Sequence, residues 1–389
     1  MTENAFFLDQ HGCAKNQVDG ELLIGILRGL GWVKTDVPED ASLIIVNSCG
    51  FIESAKTESL DAVMTARAAY PQAKVLLAGC LAERYAADLR DTLPEADAFF
   101  GNGDLSLLPE VISALFPSRS GSGAEKGRVR DLSADTTNNA DESGRPVLVP
   151  EQKGVCGGSR PELLSFPRSA YVKITEGCDN RCSFCAIPLI RGALRSRPIE
   201  DIVAECTALI ARGVWELNLI GQDLAAFGCG VGEGSPVPDS AQDSSIISDA
   251  ARVPKSPLSR LLAAISALPG DFRVRLLYIH PDHLPRDILP VMTADSRFLP
   301  YFDIPFQSGD SGILSLMNRR GSADLYRALV SDIRAAFAQA KSPYGTVALR
   351  TTILVGFPGE TDESFETTAR FLADIHSMWS GTFTWSCEE

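Results

Sequence analysis

Short segments rich in β-branched and apolar residues alternate with helix-length segments along most of this 389-residue chain. Parallel strands need a crossover connection, usually a helix, so this order predicts an α/β protein built on parallel sheets. In the first part of the chain the strand-like segments are residues 5–9, 43–47, 74–78 and 97–100, and the helical ones are 16–31, 53–69, 81–92 and 105–116. This pattern predicts a doubly wound parallel sheet domain over residues 1–116.

A second alternation occupies residues 166–389. Its strand-like segments are 170–175, 215–220, 273–278, 301–304, 346–355 and 381–385, and its helical segments are 199–212, 257–268, 284–292, 323–340 and 362–377. Six units, where a closed barrel has eight, predict a partial (β/α)6 barrel. Residues 117–165 and 228–256 are rich in Ser, Gly and Asp without an apolar period, so we expect a low-complexity linker and a surface insertion there.

The overall composition limits the class of protein and its partners. Hydrophobic residues make up 45% and charged residues 22% of the chain, and no apolar run approaches the ~18–20 residues that span a bilayer. The start, MTENAFFLDQHG, lacks the features of a secretory signal, which predicts a cytoplasmic protein. A net charge of −14 makes nucleic acid a less favoured partner, because phosphate backbones bind clustered Lys and Arg.

Three of the ten cysteines follow the first strand of the second alternation, in the motif EGCDNRCSFCAIP. Cys178, Cys182 and Cys185 have C-x3-C-x2-C spacing, so their thiolates could hold three irons of a [4Fe–4S] cluster and leave the fourth iron free. An open coordination position is typical of a catalytic site. A structural zinc site is the alternative, but it needs four ligands, and no His or fourth Cys lies nearby in the sequence.

Three further cysteines, Cys13, Cys49 and Cys80, each follow one of the first three predicted strands. Because parallel strands bring their carboxyl ends to one edge of the sheet, we expect these cysteines to meet there. A glycine next to each cysteine would let the backbone approach a bulky cluster. The alternative is three unrelated buried cysteines, since free Cys packs as a small hydrophobe.

The C-x3-C-x2-C loop, with Phe184 before its last cysteine, resembles that of the radical S-adenosylmethionine (SAM) enzymes. In this superfamily the free iron binds the amino and carboxylate groups of SAM, and an electron from the cluster cleaves the sulfonium to give a 5′-deoxyadenosyl radical. Together with GCAKNQVDGE, NSCGFIESAK and GCLAERY, the loop resembles the methylthiotransferases, whose amino-terminal domain holds a second [4Fe–4S] cluster. Motifs such as YIHPDHL, YFDIPFQSGD, MNRRG and LRTTILVGFPGETDESF are most similar to the RimO branch.

That branch modifies an aspartate of the twelfth small-subunit ribosomal protein. The resemblance therefore implies methylthiolation of the aspartate β-carbon, with two [4Fe–4S] clusters and SAM as cofactors and with an electron donor and a sulfur source as further partners. It implies six ligands: Cys13, Cys49, Cys80, Cys178, Cys182 and Cys185. Relatives continue past GTFTWSCEE into a small TRAM-type β-barrel, which we expect to be missing. A transfer-RNA methylthiotransferase of the MiaB branch and an inactive truncated iron–sulfur protein are the alternatives.

Other polar residues are candidates for binding the cofactor or a partner. Gln307 and Ser308 end a predicted strand at the carboxyl face of the barrel, where they could hydrogen-bond the ribose or the methionyl carboxylate of SAM. Arg350 could pair with that carboxylate. The arginines of RGALRSRP (Arg191, Arg195 and Arg197) form either a basic contact for an acidic partner or a solvated face.

Overall fold

The computed structural model describes residues 4–117, 144–152, 154–229 and 255–387. Contacts divide the chain into two compact units, the first made of Met1–Ser165 with Leu189–Gly192 and the second of Phe166–Pro188 with Ala193–Glu389. Each unit contains a six-stranded sheet. Within the described ranges no helix is both long enough and apolar enough to cross a membrane.

The first unit is a parallel sheet with the strand order β2-β1-β3-β4-β5-β6. Its strands are β1 (Ala5–Gln10), β2 (Val33–Lys34), β3 (Leu43–Ser48), β4 (Lys74–Gly79), β5 (Ala98–Phe100) and β6 (Val147–Leu148). Its helices are α1 (Ala14–Gly29), α2 (Glu53–Ala69), α3 (Cys80–Thr92) and α4 (Leu108–Leu115).

Helices cover both faces of this sheet. All six residues of β3 are buried, as expected for a strand covered on both sides. Ile44 and Val46 pack with α2 and α3 in one apolar cluster, so the alternate side chains of β3 point to the other face. There α1 contacts α4. The predicted doubly wound fold is confirmed.

One part of the expected linker belongs to the sheet instead. Within 117–165, Val147 and Leu148 form β6, which pairs in parallel with Phe99 and Phe100. Both β6 residues are buried. The linker prediction is wrong for this pair, because a two-residue strand is too short to show a period. Residues 118–143 and 153, also assigned to the linker, lie outside the described residues.

The second unit is a partial barrel of six parallel strands in the order β14-β13-β12-β11-β10-β7. Those strands are β7 (Ser169–Lys173), β10 (Glu216–Ile220), β11 (Arg273–Leu276), β12 (Phe298–Asp303), β13 (Ala348–Val355) and β14 (Trp379–Thr384). A small antiparallel pair, β8 (Thr175–Glu176) and β9 (Arg195–Ser196), flanks the C-x3-C-x2-C loop.

The second unit contains seven of the described helices, and some of them begin at a capping side chain. The seven helices are α5 (Ile187–Arg191, which ends within the first unit), α6 (Ile199–Ala211), α7 (Pro257–Ser266), α8 (Ile288–Ala294), α9 (Ser311–Leu316), α10 (Ala323–Gln339) and α11 (Asp362–Ile375). Thr361 and Ser364 form a reciprocal capping box at α11, and the Ser256 side chain caps α7. Of the expected insertion at 228–256, residues 230–254 lie outside the described residues.

Gly79 is the last residue of β4, and a substitution can test its backbone conformation. Its φ of 91° and ψ of −154° lie in a region that only glycine occupies readily, and an added Cβ would lie 2.6 Å from Asn47 Oδ1. We expect Gly79→Ala to lower the free energy of unfolding by at least about 1–3 kcal/mol, measured by urea denaturation.

The matched control for this substitution is Gly29→Ala in α1. Gly29 has open space around an added Cβ, so alanine should stabilise the helix by about 0.5–1 kcal/mol. Equal effects at the two positions would contradict the strain assigned to Gly79.

Candidate metal centres

The amino-terminal triad lies at one edge of the first sheet. Cys13 follows β1 and caps α1, Cys49 follows β3, and Cys80 follows β4 as the first residue of α3. The chain leaves β1 and β3 in opposite directions along the sheet, which makes this edge a topological switch point, the usual ligand site of such folds. A Cβ added at Gly12 would lie 3.2 Å from the Cβ of Cys49, so this backbone closely approaches the site.

Positive charge lies close to two of these sulfurs, those of Cys13 and Cys80. The amino-terminal ends of α1 and α3, at Cys13 and Cys80, favour thiolate there. Burial opposes ionisation of Cys13, but the charges of Lys15 and Arg191, with backbone N–H groups of Asn16 and Lys15, leave its pKa below the usual value. Burial raises the pKa of Cys80 to about 12, although the nearby Arg191 opposes that rise.

Arg191 contacts the triad directly. Its Nη2 donates to Cys80 Sγ at 3.2 Å, and its Nη1 lies 2.9 Å from Asp19 Oδ2. The side chains of Arg191 and Asp19 are 3% and 2% exposed. Asn102 Nδ2 donates to the same Cys80 sulfur at 3.3 Å.

The three arginines of RGALRSRP lie in different surroundings. Arg191 is buried, Arg197 pairs with Glu205 at 2.5 Å, and Arg195 donates to the carbonyl of Ala193 at 2.7 Å. Arg191 and Arg197 are thus paired with carboxylates of their own units, Asp19 and Glu205.

The second triad occupies the loop between β8 and β9. The Cys185 N–H donates to the Cys182 carbonyl at 3.0 Å, which folds the last part of the loop into a turn. Phe184 packs against Ile313, Met317 and Phe357, so an apolar anchor fixes the loop between two ligands. Asn180 Nδ2 lies 3.4 Å from Cys178 Sγ.

Asp223 lies just past β10 and holds this loop in place. It was not predicted as a site residue from the sequence. Its Oδ2 accepts hydrogen bonds from Asn180 Nδ2 at 2.9 Å and from His283 Nε2 at 2.6 Å, and the residue is 1% exposed. Burial opposes its ionisation, but His283, His280 and Asn180 together keep the pKa of this carboxyl well below its usual value. The only signal in the sequence was an acidic residue just past a strand.

The two histidines of YIHPDHL take structural roles in this network. His280 Nδ1 accepts from the Asp282 N–H at 3.3 Å and so caps a short 3-10 helix, Pro281–His283. Its ring stacks on that of His283 at 4.8 Å. Burial, with the charge of Arg319, lowers the pKa of His280 to about 3. Burial also lowers the pKa of His283, but the hydrogen bond and the charge of the Asp223 carboxylate outweigh it, so the pKa of His283 is raised.

Both triads fit [4Fe–4S] clusters better than single ions. In the described part of the chain no three His, Cys, Asp or Glu side chains converge on one metal position. Each cysteine of a cluster binds its own iron, so such convergence is not required. Burial raises the pKa of both Cys80 and Cys178 to about 12, and a bound metal would deprotonate both thiols. A structural zinc site, which needs four converging ligands, does not fit.

The three residues predicted to contact SAM differ in their burial and in the partners they bind. Gln307 lies past β12 with a φ of 71°, an uncommon conformation outside glycine, held by backbone hydrogen bonds to Thr352 and Leu354. Arg350 lies 3.1 Å from Asp303, and its side chain is 46% exposed. Ser308 is buried, with its hydroxyl bonded to Thr368 at 3.1 Å, so its side chain serves the fold.

Two family models match the chain. Residues 5–101 match a family described as Uncharacterized protein family UPF0004, and residues 172–372 match the Radical SAM superfamily. Among solved structures, the radical S-adenosylmethionine methyltransferase TsrM from Kitasatospora setae is similar with a TM-score of 0.64, covering 99% of this chain and 75% of that one. At 14% identity, this likeness shows the fold alone.

Closer similarity is found to proteins named ribosomal protein uS12 methylthiotransferase RimO. The one from Treponema denticola is 55% identical over 98% of this chain and 76% of its own length. The one from Desulfotalea psychrophila is 37% identical over 99% of this chain and 76% of its own length.

The ion pair of His283 and Asp223 predicts a pH-dependent stability. Protonated His283 stabilises the folded state fully below its unfolded pKa of about 6.5, and this contribution is lost as the pH rises through the raised folded value. We expect His283→Gln to cost about 1–3 kcal/mol at pH 5.5 and clearly less at pH 9, by urea unfolding followed by circular dichroism.

The control is the same substitution in an Asp223→Asn background. Without the carboxylate, the cost of losing the histidine should no longer depend on pH in this way. A cost that is equal at both pH values in the parent protein would contradict the assigned ion pair.

Proposed function

The chain belongs to the RimO family of ribosomal protein uS12 methylthiotransferases, and we propose that its two cysteine triads divide the reaction between them. The chain is a sulfur-group transferase that methylthiolates the β-carbon of an aspartate in uS12, the twelfth small-subunit ribosomal protein, by radical SAM chemistry. Its cofactors are two [4Fe–4S] clusters and SAM. One observation supports this division above others, namely that the two triads lie in separate compact units. Cys13, Cys49 and Cys80 follow three strands of the first sheet, whereas the second triad lies on one loop past β7 and β8.

The triad of the barrel would hold the cluster that binds SAM. When bound, the two clusters and SAM supply the electron, the hydrogen-abstracting radical, the methyl group and the sulfur. Cys178, Cys182 and Cys185 provide three thiolates on one loop, which leaves one iron open to SAM. Phe184 and the Asn180–Asp223 hydrogen bond hold that loop in place.

The amino-terminal triad would take part in sulfur delivery. Cys13, Cys49 and Cys80 lie at the switch point of the first sheet, and they also leave one iron without a protein ligand. Helix ends at Cys13 and Cys80, together with Arg191 beside Cys80, provide positive charge at this site.

Gln307 and Arg350 remain candidates for binding SAM. The strained backbone of Gln307 lies four residues past the carboxyl end of β12, the end of the barrel at which ligands bind. Arg350 has an accessible guanidinium, which could exchange part of its pairing with Asp303 for a methionyl carboxylate. Ser308 would support the backbone of this loop through Thr368.

The proposed partners follow from the reaction and from charge. An electron donor must reduce the clusters, and a sulfur source must replace the sulfur consumed. The net charge of −14 attracts a basic ribosomal protein at long range and disfavours the phosphate backbone of transfer RNA. We place the reaction in the cytoplasm, where ribosomal proteins reside.

Iron content tests the assignment of the six cysteines. Anaerobic reconstitution should load about two [4Fe–4S] clusters per chain, and about one after Cys178, Cys182 and Cys185 are changed to Ala, because each triad binds independently. Iron and sulfide assays with Mössbauer spectroscopy would measure this. Loss of both clusters from a folded triple variant would refute two separate sites.

The same reconstituted proteins test the division of roles. Changing Cys13, Cys49 and Cys80 to Ala should spare reductive cleavage of SAM, seen as 5′-deoxyadenosine, but abolish methylthiolation of uS12. Loss of 5′-deoxyadenosine from a folded variant would contradict this division.

Mass spectrometry of uS12 and transfer RNA from cells with and without the gene would identify the substrate. A change confined to transfer RNA would favour the MiaB-type alternative.

A further inference from the structure

We propose that Arg191 is a positioning residue of the amino-terminal cluster. Through a hydrogen bond to the Cys80 sulfur, Arg191 sets the reduction potential of that cluster. The inference rests on the proposed function in one respect, that Cys13, Cys49 and Cys80 hold a cluster.

The guanidinium of Arg191 is fixed from two sides. Nη2 donates to Cys80 Sγ at 3.2 Å, while Nη1 pairs with Asp19 at 2.9 Å. A planar guanidinium can donate to the sulfur and at the same time form a close ion pair with a carboxylate, whereas the single ammonium of a lysine cannot reproduce this geometry. Because the pair is almost fully buried, little water screens its field.

A second donor reaches the same sulfur from another element. Asn102 Nδ2 lies 3.3 Å from Cys80 Sγ and follows β5. The loop of Asn102 is itself held in place, because its backbone N–H and that of Gly103 donate to Glu83 Oε2 at 2.7 and 3.2 Å. The Cys80 sulfur thus receives one charged and one neutral hydrogen bond, and the two can be removed separately.

Hydrogen bonds to cluster sulfurs and nearby positive charge tune the reduction potential. Reduction adds negative charge to the cluster, so a donor or a cation beside a ligand sulfur stabilises the reduced form and raises the potential. Arg191 provides both. Its charge also favours a low pKa at Cys13 and opposes the rise that burial causes in the pKa of Cys49, so its field extends beyond Cys80 to the other ligands. Without Arg191, the carboxylate of Asp19 would be left near the cluster and would disfavour reduction further.

The test uses the full chain carrying Cys178→Ala, Cys182→Ala and Cys185→Ala, so that only the amino-terminal cluster gives a signal. In this background, a redox titration monitored by electron paramagnetic resonance would measure the midpoint potential of Arg191→Gln, Arg191→Lys and Asn102→Leu. We expect negative shifts in all three, largest for Arg191→Gln, which loses both charge and hydrogen bond, and smaller for Asn102→Leu, which loses a neutral donor.

Arg160→Gln is the matched control. Arg160 also forms a buried pair with a carboxylate of α1, donating to Glu21 at 2.7 Å, and is 4% exposed. Its loss should destabilise the first unit without shifting the potential. If Arg191→Gln alone folds poorly, Asp19→Asn with Arg191→Gln removes both charges of the pair, and its potential should fall between those of the parent and of Arg191→Gln.

Three results would contradict the proposal, and each has a different meaning. An unchanged potential in Arg191→Gln with full iron content would overturn the role of Arg191 alone. An equal shift in Arg160→Gln would show that general loosening of the unit, not the sulfur contact, moves the potential. Absence of iron from the folded background protein would refute the proposed ligand set, and this inference with it.

Discussion

Parallel pairing of neighbouring strands determines where the candidate ligands of this protein lie. When strands run in one direction, their carboxyl ends meet at one edge, and the residues that follow them become neighbours although they are far apart in the sequence. In the first unit this brings together Cys13, Cys49 and Cys80, which follow β1, β3 and β4. In the second unit the same rule brings Asp223, just past β10, to the loop that follows β7 and β8.

The sequence predicted those features that depend on local pattern. The buried strands β3 and β4 were recognisable because a strand covered on both faces is almost continuously apolar, and α2 because its length and composition exclude a strand. The positions of the cysteines after these strands then followed from topology. The two residues of β6 could not be predicted, because they join the sheet only through pairing with β5.

Polar contacts between residues far apart in the chain could not be predicted from the sequence. Arg191 and Cys80 are 111 residues apart, and a buried arginine in a run of arginines is indistinguishable from a solvated one until its acceptors are known. The same holds for Asp223, whose importance comes from His283, 60 residues further along the chain. Another single arginine lies beside a predicted ligand in the second unit, where Arg319 opposes the rise in the pKa of Cys182 that burial causes.

The first unit is discontinuous in the sequence, since its contacts include Leu189–Gly192 as well as Met1–Ser165. During synthesis, amino-terminal domains usually fold as they emerge, before the rest of the chain is made. Here the sheet that bears Cys13, Cys49 and Cys80 can form early, but Arg191 reaches Cys80 only after the C-x3-C-x2-C loop has also left the ribosome. The environment of the amino-terminal site is therefore completed only when about half of the chain has been made, by a segment that begins four residues after Cys185.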